Sequence, residues 1–163
     1  MKPFLLAIYL LSFSWNSFAA QSYSLFLVRH AEKLADSKDP ALSICGKKRA
    51  SQLADILAKA DIKAIYSTNY TRTLQTAAPL STKQAIVISN YQPNKLKELA
   101  LQLQQKQQNA LIVGHSNTTP MLAKLLSKQT VAPLSEQDYH YLYQVQFINK
   151  QAVLTIFQQP LDC

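Results

Sequence analysis

The sequence is poor in cysteine, glycine and acidic residues. Among its 163 residues, two are cysteine, two are glycine and nine are aspartate or glutamate. No CxxC pair and no cysteine–histidine cluster occurs, which argues against a metal site of that kind. No stretch has the biased composition of a disordered segment, and there is no internal repeat or linker. The length therefore predicts a single globular domain.

The shortage of acidic residues leaves the chain basic. Seventeen lysines and arginines give a formal net charge of +8, which favours anionic partners such as phosphate esters, anionic envelope lipids or nucleic acid. The only tight basic cluster, Lys47-Lys48-Arg49, lies in a helical pattern without interleaved aromatic residues. We interpret it as a solvated helix face, so no nucleic-acid partner is expected.

The first twenty residues have the pattern of a secretory signal peptide. Lys2 supplies the positive start, Phe4 to Phe13 is apolar except for Ser12, and Ser17-Phe18-Ala19 has the small-x-small pattern of a cleavage site. The alternative is a membrane anchor, but the apolar run is short for spanning a bilayer. We therefore predict a signal peptide over residues 1–20 and one domain over residues 21–163. The mature protein is expected in the periplasm or outside the cell, without stable membrane insertion.

Export changes the interpretation of the two cysteines. In an oxidising compartment, a disulfide between Cys45 and Cys163 is plausible. It would close a long loop and stabilise the fold by ~4–5 kcal/mol in the chain-entropy model. The alternative is two free thiols.

Strand and helix patterns alternate along most of the chain. The predicted strands are 23–28, 64–67, 85–88 and 110–113, and the predicted helices are 43–60, 72–80, 94–105 and 120–127. Ser43 is a suitable N-cap for the first helix. The C-terminal part differs from this alternation, because residues 142–148 and 152–157 have the pattern of an antiparallel hairpin. The sequence predicts a three-layer α/β fold with a mostly parallel sheet flanked by helices and a C-terminal antiparallel hairpin.

Unusual polar residues collect where these strands end. Arg29 and His30 follow the first strand, Arg72 follows the second at the start of a helix, and His115 follows the fourth before another helix. Ligands of such sheets bind beyond the carboxyl ends of the strands. Arginine matches phosphate oxygens bidentately, and helix N-termini favour anions. Histidine can be a nucleophile or an acid–base group near neutral pH. The set predicts a phosphoryl site.

Four segments carry a family resemblance. They are "LVRHAEK", "DPALSICGKKRASQLADIL", "YSTNYTRTLQTA" and "LIVGHSNTTP", and they occur in this order within residues 23–127. Together they resemble the histidine phosphatase superfamily, which has the phosphoglycerate-mutase-like fold. The resemblance implies that His30 is the nucleophile and forms a phosphohistidine. It implies that Arg29, Arg72 and His115 bind the phosphoryl oxygens and that Asn117 contacts phosphate or substrate. No metal or other cofactor is implied.

Two features depart from the family pattern. The family usually has glycine after the nucleophilic histidine, where this chain has Ala31, which is tolerable at a negative φ. Many members use a general acid between the second arginine and the second histidine, and Glu98 is the only acidic residue there. Glu32 and Asp39 are other candidates for that role, and a substrate with a good leaving group, or a proton from water, would need none of the three.

Tyr139, His140, Tyr141 and Tyr143 lie outside these motifs, and we interpret them as packing residues. The expected function is that of an exported phosphomonoesterase acting on a small phosphate ester or a phosphorylated envelope component. One alternative is a non-catalytic module that binds phosphate or anionic glycan in the same pocket. Another is a metal site built on His30 and His115.

Overall fold

The computed structural model describes residues 22–35 and 37–160. The predicted signal peptide and Cys163 lie outside these residues, so both the peptide and the Cys45–Cys163 disulfide stay predictions. Within the described part of the chain, no helix is long and apolar enough to cross a bilayer.

Six strands and four helices form the described fold. The strands are β1 Ser22–Arg29, β2 Ala64–Ser67, β3 Ile88–Asn90, β4 Ala110–Gly114, β5 Tyr141–Ile148 and β6 Gln151–Gln158. The helices are α1 Ile44–Ile56, α2 Thr71–Gln84, α3 Leu96–Lys106 and α4 Thr118–Ser127. The strands make one sheet in the order β3-β2-β4-β1-β5-β6. The first four are mutually parallel, whereas β5 is antiparallel to β1 and β6 is antiparallel to β5.

The helices cover both faces of the sheet and bury two apolar clusters. Leu53 of α1 and Leu80 of α2 pack on Phe26 and Val28 of β1. On the other face, residues of α3 and α4 pack on Leu25 and Leu27 of the same strand, as the alternation of side chains along a strand requires. The predicted three-layer architecture with a C-terminal hairpin is therefore confirmed.

The third strand begins later than predicted. The sequence pattern placed it at 85–88, but α2 continues to Gln84 and ends at Ala85, which has a φ of 55°. The amide of Ile86 donates to the carbonyl of Ser81 (3.1 Å), and the hydroxyl of Ser81 donates to the carbonyl of Ile86 (2.6 Å). Because these bonds close the helix end, the ladder with β2 starts only at Ile88.

The start of α1 is held against the loop that follows β1. Ser43 is the N-cap, as predicted, and its hydroxyl accepts from the amide of Gly46 (3.1 Å). A Cβ added at Gly46 would overlap the carbonyl oxygen of Glu32 and lie 3.0 Å from its carbonyl carbon. Gly46 is therefore required for space, since its φ is not positive.

We expect Gly46→Ala to lower the free energy of unfolding by about 1–3 kcal/mol, because the helix must move away from Glu32. Helix propensity alone would raise the free energy of unfolding by about 1 kcal/mol. The sign of the measured change therefore distinguishes the close contact with Glu32 from helix propensity. Urea unfolding measures the change, and Ser51→Ala, at an exposed position of the same helix, is the control. A stabilised Gly46→Ala protein would contradict the close contact.

The basic cluster of α1 divides between surface and interior. Lys47 and Lys48 are exposed, as expected, but Arg49 is only 5% exposed. Its guanidinium donates to both carboxylate oxygens of Glu32, with Nη2 2.6 Å from Oε1. The interpretation of Arg49 as part of a solvated face is wrong, because this ion pair joins α1 to the loop after β1.

Candidate active site

A pocket of about 530 Å³ lies at the carboxyl ends of the parallel strands. It contains the four side chains that the sequence placed at strand ends, namely Arg29, His30, Arg72 and His115. Asn117, at the start of α4, also lines it. The remaining lining residues are Lys33, Tyr70, Pro93, Asn94, Ser116, Thr118 and Glu136.

Two adjacent central strands fix the positions of the histidines. Arg29 of β1 pairs with Gly114 of β4, and the amide of His30 donates to the carbonyl of Gly114 (2.9 Å). His115 follows Gly114 directly, so both imidazoles leave the sheet side by side. Their ring centroids are 5.7 Å apart, with an interplanar angle of 67°. A Cβ on Gly114 would lie 2.7 Å from Oγ1 of Thr118, so the turn after β4 needs glycine for space.

The backbone after His30 fixes its tautomer. Nδ1 of His30 lies 2.8 Å from the carbonyl oxygen of Ala31, which can only accept, so Nδ1 carries the proton and Nε2 keeps a free lone pair. Burial lowers the pKa of His30 to about 3, and the charges of Arg29 and Arg72 act in the same direction. Ala31 has no positive φ, so glycine is not required there. The neutral imidazole thus has the protonation state that a nucleophile requires.

A chain of hydroxyl groups orients His115. The hydroxyl of Thr73 donates to carbonyl oxygens of Thr68 (2.8 Å) and Tyr70 (2.9 Å), so its oxygen accepts from Oγ1 of Thr68. Oγ1 of Thr68 in turn accepts from Nε2 of His115 (2.9 Å). Nδ1 is then the unprotonated atom, 3.5 Å from Nη2 of Arg72. Burial and the adjacent Arg72 charge lower the pKa of His115 to about 4.

Arg72 is held by a carboxylate and an aromatic ring. Its Nη1 donates to Asp39 (3.2 Å), and its guanidinium carbon lies 4.5 Å from the ring centre of Tyr70. Asp39 also accepts from the amide (3.1 Å) and hydroxyl (2.8 Å) of Thr71, the first residue of α2. These bonds, led by the Thr71 hydroxyl, hold the pKa of Asp39 below its ordinary value. Asp39 is therefore a helix-capping anion that positions Arg72.

Arg29 is buried beneath the segment between α4 and β5. Its Nη1 donates to the carbonyl of Ser135 (2.8 Å), and its Nη2 donates to Oε2 of Glu136 (2.9 Å). Its guanidinium carbon lies 4.2 Å from the ring centre of Tyr139. Oε1 of Glu136 accepts from the hydroxyl of Ser116 (3.1 Å). The Arg29 charge, followed by the Ser116 hydrogen bond, lowers the pKa of Glu136.

The carboxylates named as candidate acids do not line this pocket. Glu98 lies on the first turn of α3, its side chain is 70% exposed, and it pairs with Lys95 (3.3 Å) at the edge of an adjacent groove. Glu32 is engaged by Arg49, and Asp39 by Thr71 and Arg72. The geometry therefore does not support a general acid at Glu98, Glu32 or Asp39.

Glu136 and Tyr139 are site residues that the sequence interpretation missed. Among the described residues, Glu136 is the one carboxylate that lines the pocket. It follows His115 in the sequence, outside the interval in which the family pattern places the acid. Tyr139 is not only a packing residue, because it also lies next to His30, with ring centroids 5.9 Å apart. Tyr143 is buried in the core, as expected, and His140 lies against Tyr141, outside the pocket.

The buried, neutral histidines predict a dependence of stability on pH. His30 has an ordinary pKa near 6.5 when unfolded and one of about 3 when folded, so the unfolded chain binds more protons between these values. Stability should therefore fall as pH drops below about 6.5. Between pH 6 and pH 5 we expect His30→Ala to lose less stability than the unsubstituted protein, by up to about 1 kcal/mol.

Urea unfolding at the two pH values, without phosphate in the buffer, measures this difference. His140→Ala is the control, because it removes an imidazole that does not line the pocket. An identical pH dependence in the unsubstituted protein and in His30→Ala would contradict a depressed pKa at His30.

The described residues contain no group of three or more histidine, cysteine, aspartate or glutamate side chains arranged to hold a metal ion. The cationic side chains that line the pocket are Arg29, Arg72 and Lys33, and the five N–H donors of each guanidinium match the oxygens of a phosphoryl group. The arrangement can bind a tetrahedral oxyanion next to a free imidazole nitrogen.

Three solved structures with the same fold are phosphatases by name. A mycobacterial glucosyl-3-phosphoglycerate phosphatase shares 13% identity, with a TM-score of 0.68 over 86% of this chain and 100% of that one. The α-ribazole phosphatase of Shigella flexneri shares 14% identity, with a TM-score of 0.69 over 83% and 96%. The protein histidine phosphatase SixA, complexed with tungstate, shares 14% identity, with a TM-score of 0.68 over 83% and 97%. These likenesses establish the fold.

Sequence comparison points to one family. No curated protein matches the chain significantly. The family model for the histidine phosphatase superfamily (branch 1) matches residues 25–103, which include Arg29, His30 and Arg72. His115 lies beyond the match, but the fold brings it into the same pocket. Residues 25–103 belong to the histidine phosphatase superfamily, and the fold of the chain is that of the three phosphatases described above.

Proposed function

We propose that this protein is an exported phosphatase that hydrolyses phosphate monoesters through a phosphohistidine on His30. The observation that carries the proposal is the meeting of two neutral imidazoles and two guanidiniums in one pocket, with Nε2 of His30 unprotonated. Phosphoryl transfer depends mainly on positioning and on charge stabilisation, and this pocket supplies both.

The reaction proceeds in two displacements. The lone pair on Nε2 of His30 attacks phosphorus, an N–P bond forms, and the P–O bond to the alcohol breaks. Arg72 and Arg29 neutralise the negative charge on the phosphoryl oxygens. Binding of a dianion raises the proton affinity of His115, which then donates a hydrogen bond from Nδ1. Water next attacks phosphorus, the N–P bond breaks, and inorganic phosphate leaves with the imidazole neutral again.

We infer that Glu136 moves the proton in both steps. Phosphate competes with Glu136 for Nη2 of Arg29, and the side chain of Glu136 is 72% exposed, so it can move aside by exchanging its bonds to Arg29 and Ser116 for water. Losing Arg29 and facing a dianion both raise the pKa of this carboxyl, so it can take up a proton. Glu136 then protonates the leaving oxygen and later accepts a proton from the attacking water.

The direct test is hydrolysis of p-nitrophenyl phosphate by the mature protein in excess chelator. We expect turnover that inorganic phosphate inhibits competitively. Phosphate binding without turnover would instead support the binding module, and loss of turnover on adding chelator would support a metal site on His30 and His115.

The loss of activity on replacing Glu136 should depend on the leaving group of the substrate. Glu136→Gln is expected to reduce kcat/KM about 10²-fold for glycerol 2-phosphate, whose alkoxide needs a proton to leave. It should reduce kcat/KM less than about tenfold for p-nitrophenyl phosphate, since nitrophenolate leaves unprotonated and kcat/KM does not include hydrolysis of the phosphohistidine.

Steady-state kinetics with both esters measure this split. Glu98→Gln is the matched control, as it removes a carboxylate that does not line the pocket. Equal losses of kcat/KM with the two esters would exclude proton donation by Glu136 to the leaving oxygen.

The proposed substrate is a small phosphate ester or a phosphorylated envelope component. The net charge of +8 and the signal-peptide pattern of residues 1–20 support an anionic substrate in the periplasm or outside the cell. Detection of the chain without residues 1–20 in the periplasm or medium tests the location. A full-length cytoplasmic protein would contradict it.

A further inference from the structure

A second depression adjoins the phosphate pocket on the side of α3 and α4. It is a groove of about 540 Å³ between the start of α3 and the first turns of α4. Four residues line both the groove and the pocket, namely Pro93, Asn94, Asn117 and Thr118. These residues form the border between the two depressions, so a ligand bound at the phosphate pocket reaches the groove by extending past them.

The groove has an apolar surface with cations at its edge. Leu96, Met121 and Leu125 form the apolar part, and Met121 is 56% exposed. Exposed methionine is common at surfaces that accommodate varied apolar ligands, because its side chain is flexible and polarizable. Lys95, Lys97 and Glu98 also line the groove, and because Glu98 pairs with Lys95 (3.3 Å) the edge carries a net single positive charge. A cavity of this size and lining is suited to a small organic ligand.

The residue after His30 and the groove lie on opposite faces of the sheet. The residue after His30 is anchored on the α1–α2 side, where the amide of Ala31 donates to Oγ1 of Thr76 (3.0 Å) and its methyl group packs on Leu42 and Ala50. The groove lies on the opposite face of the sheet, between α3 and α4. In-line displacement places the leaving oxygen on the side of phosphorus away from the nucleophile. The alcohol of a bound ester therefore departs on the side of phosphorus away from His30.

We propose that this groove binds the alcohol part of the substrate, and that the preferred substrates are phosphate monoesters with an extended apolar alcohol. The proposal rests on the proposed function only for the identity of the phosphate pocket, since it concerns binding rather than turnover. A groove of this kind favours amphiphilic phosphate monoesters over small polar ones such as glycerol phosphate.

Alkylphosphonates test the groove without requiring hydrolysis, since their C–P bond is not cleaved as an ester. Calorimetric titration of the mature protein with methyl-, butyl- and octylphosphonate should give affinities that rise by about two- to fourfold per methylene until the groove is filled. Met121→Glu should abolish the dependence on chain length while leaving methylphosphonate affinity within about threefold. Leu101→Glu is the matched control, because Leu101 is 60% exposed on α3 and does not line the groove.

The outcomes are distinct. Chain-length dependence that Met121→Glu removes and Leu101→Glu retains supports the groove, whether or not p-nitrophenyl phosphate is turned over. Equal affinities for the three phosphonates overturn it, as does a dependence that both variants retain or that both lose. Absence of p-nitrophenyl phosphate hydrolysis, measured separately, would contradict the catalytic proposal alone.

Discussion

His30→Ala is expected to reduce kcat for p-nitrophenyl phosphate by at least about 10⁴-fold, because it removes the imidazole whose unprotonated Nε2 is proposed to accept the phosphoryl group. His115 cannot replace it, since its Nε2 is occupied by Thr68 and its Nδ1 faces Arg72. The same substitution should abolish the acid-labile phosphoenzyme that rapid quenching with a labelled ester traps in the unsubstituted protein.

The control for this experiment is His140→Ala, whose imidazole does not line the pocket. Binding of inorganic phosphate, measured by calorimetry, should persist in His30→Ala, because the guanidiniums remain. Retention of a phosphoenzyme in His30→Ala would refute the assigned nucleophile, and retained turnover without one would indicate direct attack by water.

Arg72→Ala should have the second largest effect, a loss of about 10³-fold in kcat/KM. The substitution removes a charge-assisted donor that stabilises the phosphoryl oxygens in the transition state. It also leaves Asp39 and Nδ1 of His115 without their guanidinium partner. Arg72→Lys should recover only part of the loss, because an ammonium cannot contact Asp39 and phosphate in the same forked geometry.

Lys83→Ala is the matched control, since Lys83 lies on the same helix and its exposed ion pair with Asp55 is remote from the pocket. Thermal unfolding of each variant separates loss of fold from loss of catalysis. A folded Arg72→Ala protein with unchanged kcat/KM would remove Arg72 from the proposed mechanism.

The central sheet could be predicted because its strands are short apolar runs that end abruptly in charged or polar residues. "LFLVRH" and "LIVGH" each combine a buried run with an imidazole at its carboxyl end. Parallel pairing of β1 with β4 then brings His30 and His115 together. The shared edge could be predicted because the direction of parallel strands determines the edge of the sheet at which these residues lie.

Features that depend on contacts distant in sequence could not be predicted in this way. Glu136 reaches Arg29 across more than a hundred residues, and nothing local in "PLSEQDY" indicates that this segment lies over the pocket. Arg49 looks like part of a basic helix face until its bond to Glu32 is known. The shifted start of β3 depends on a left-handed Ala85, a conformation that alanine rarely adopts.

The Arg29–Glu136 ion pair means that any anion entering the pocket must compete with the Glu136 carboxylate for the Arg29 guanidinium. The affinity for phosphate consequently depends on the difference between the interaction free energies of Arg29 with phosphate and with Glu136. A singly charged anion gains little by replacing a carboxylate of the same charge. A doubly charged phosphoryl group gains more, since it also attracts Arg72. Selection by charge number, rather than by negative charge alone, would keep abundant monovalent anions from occupying the site.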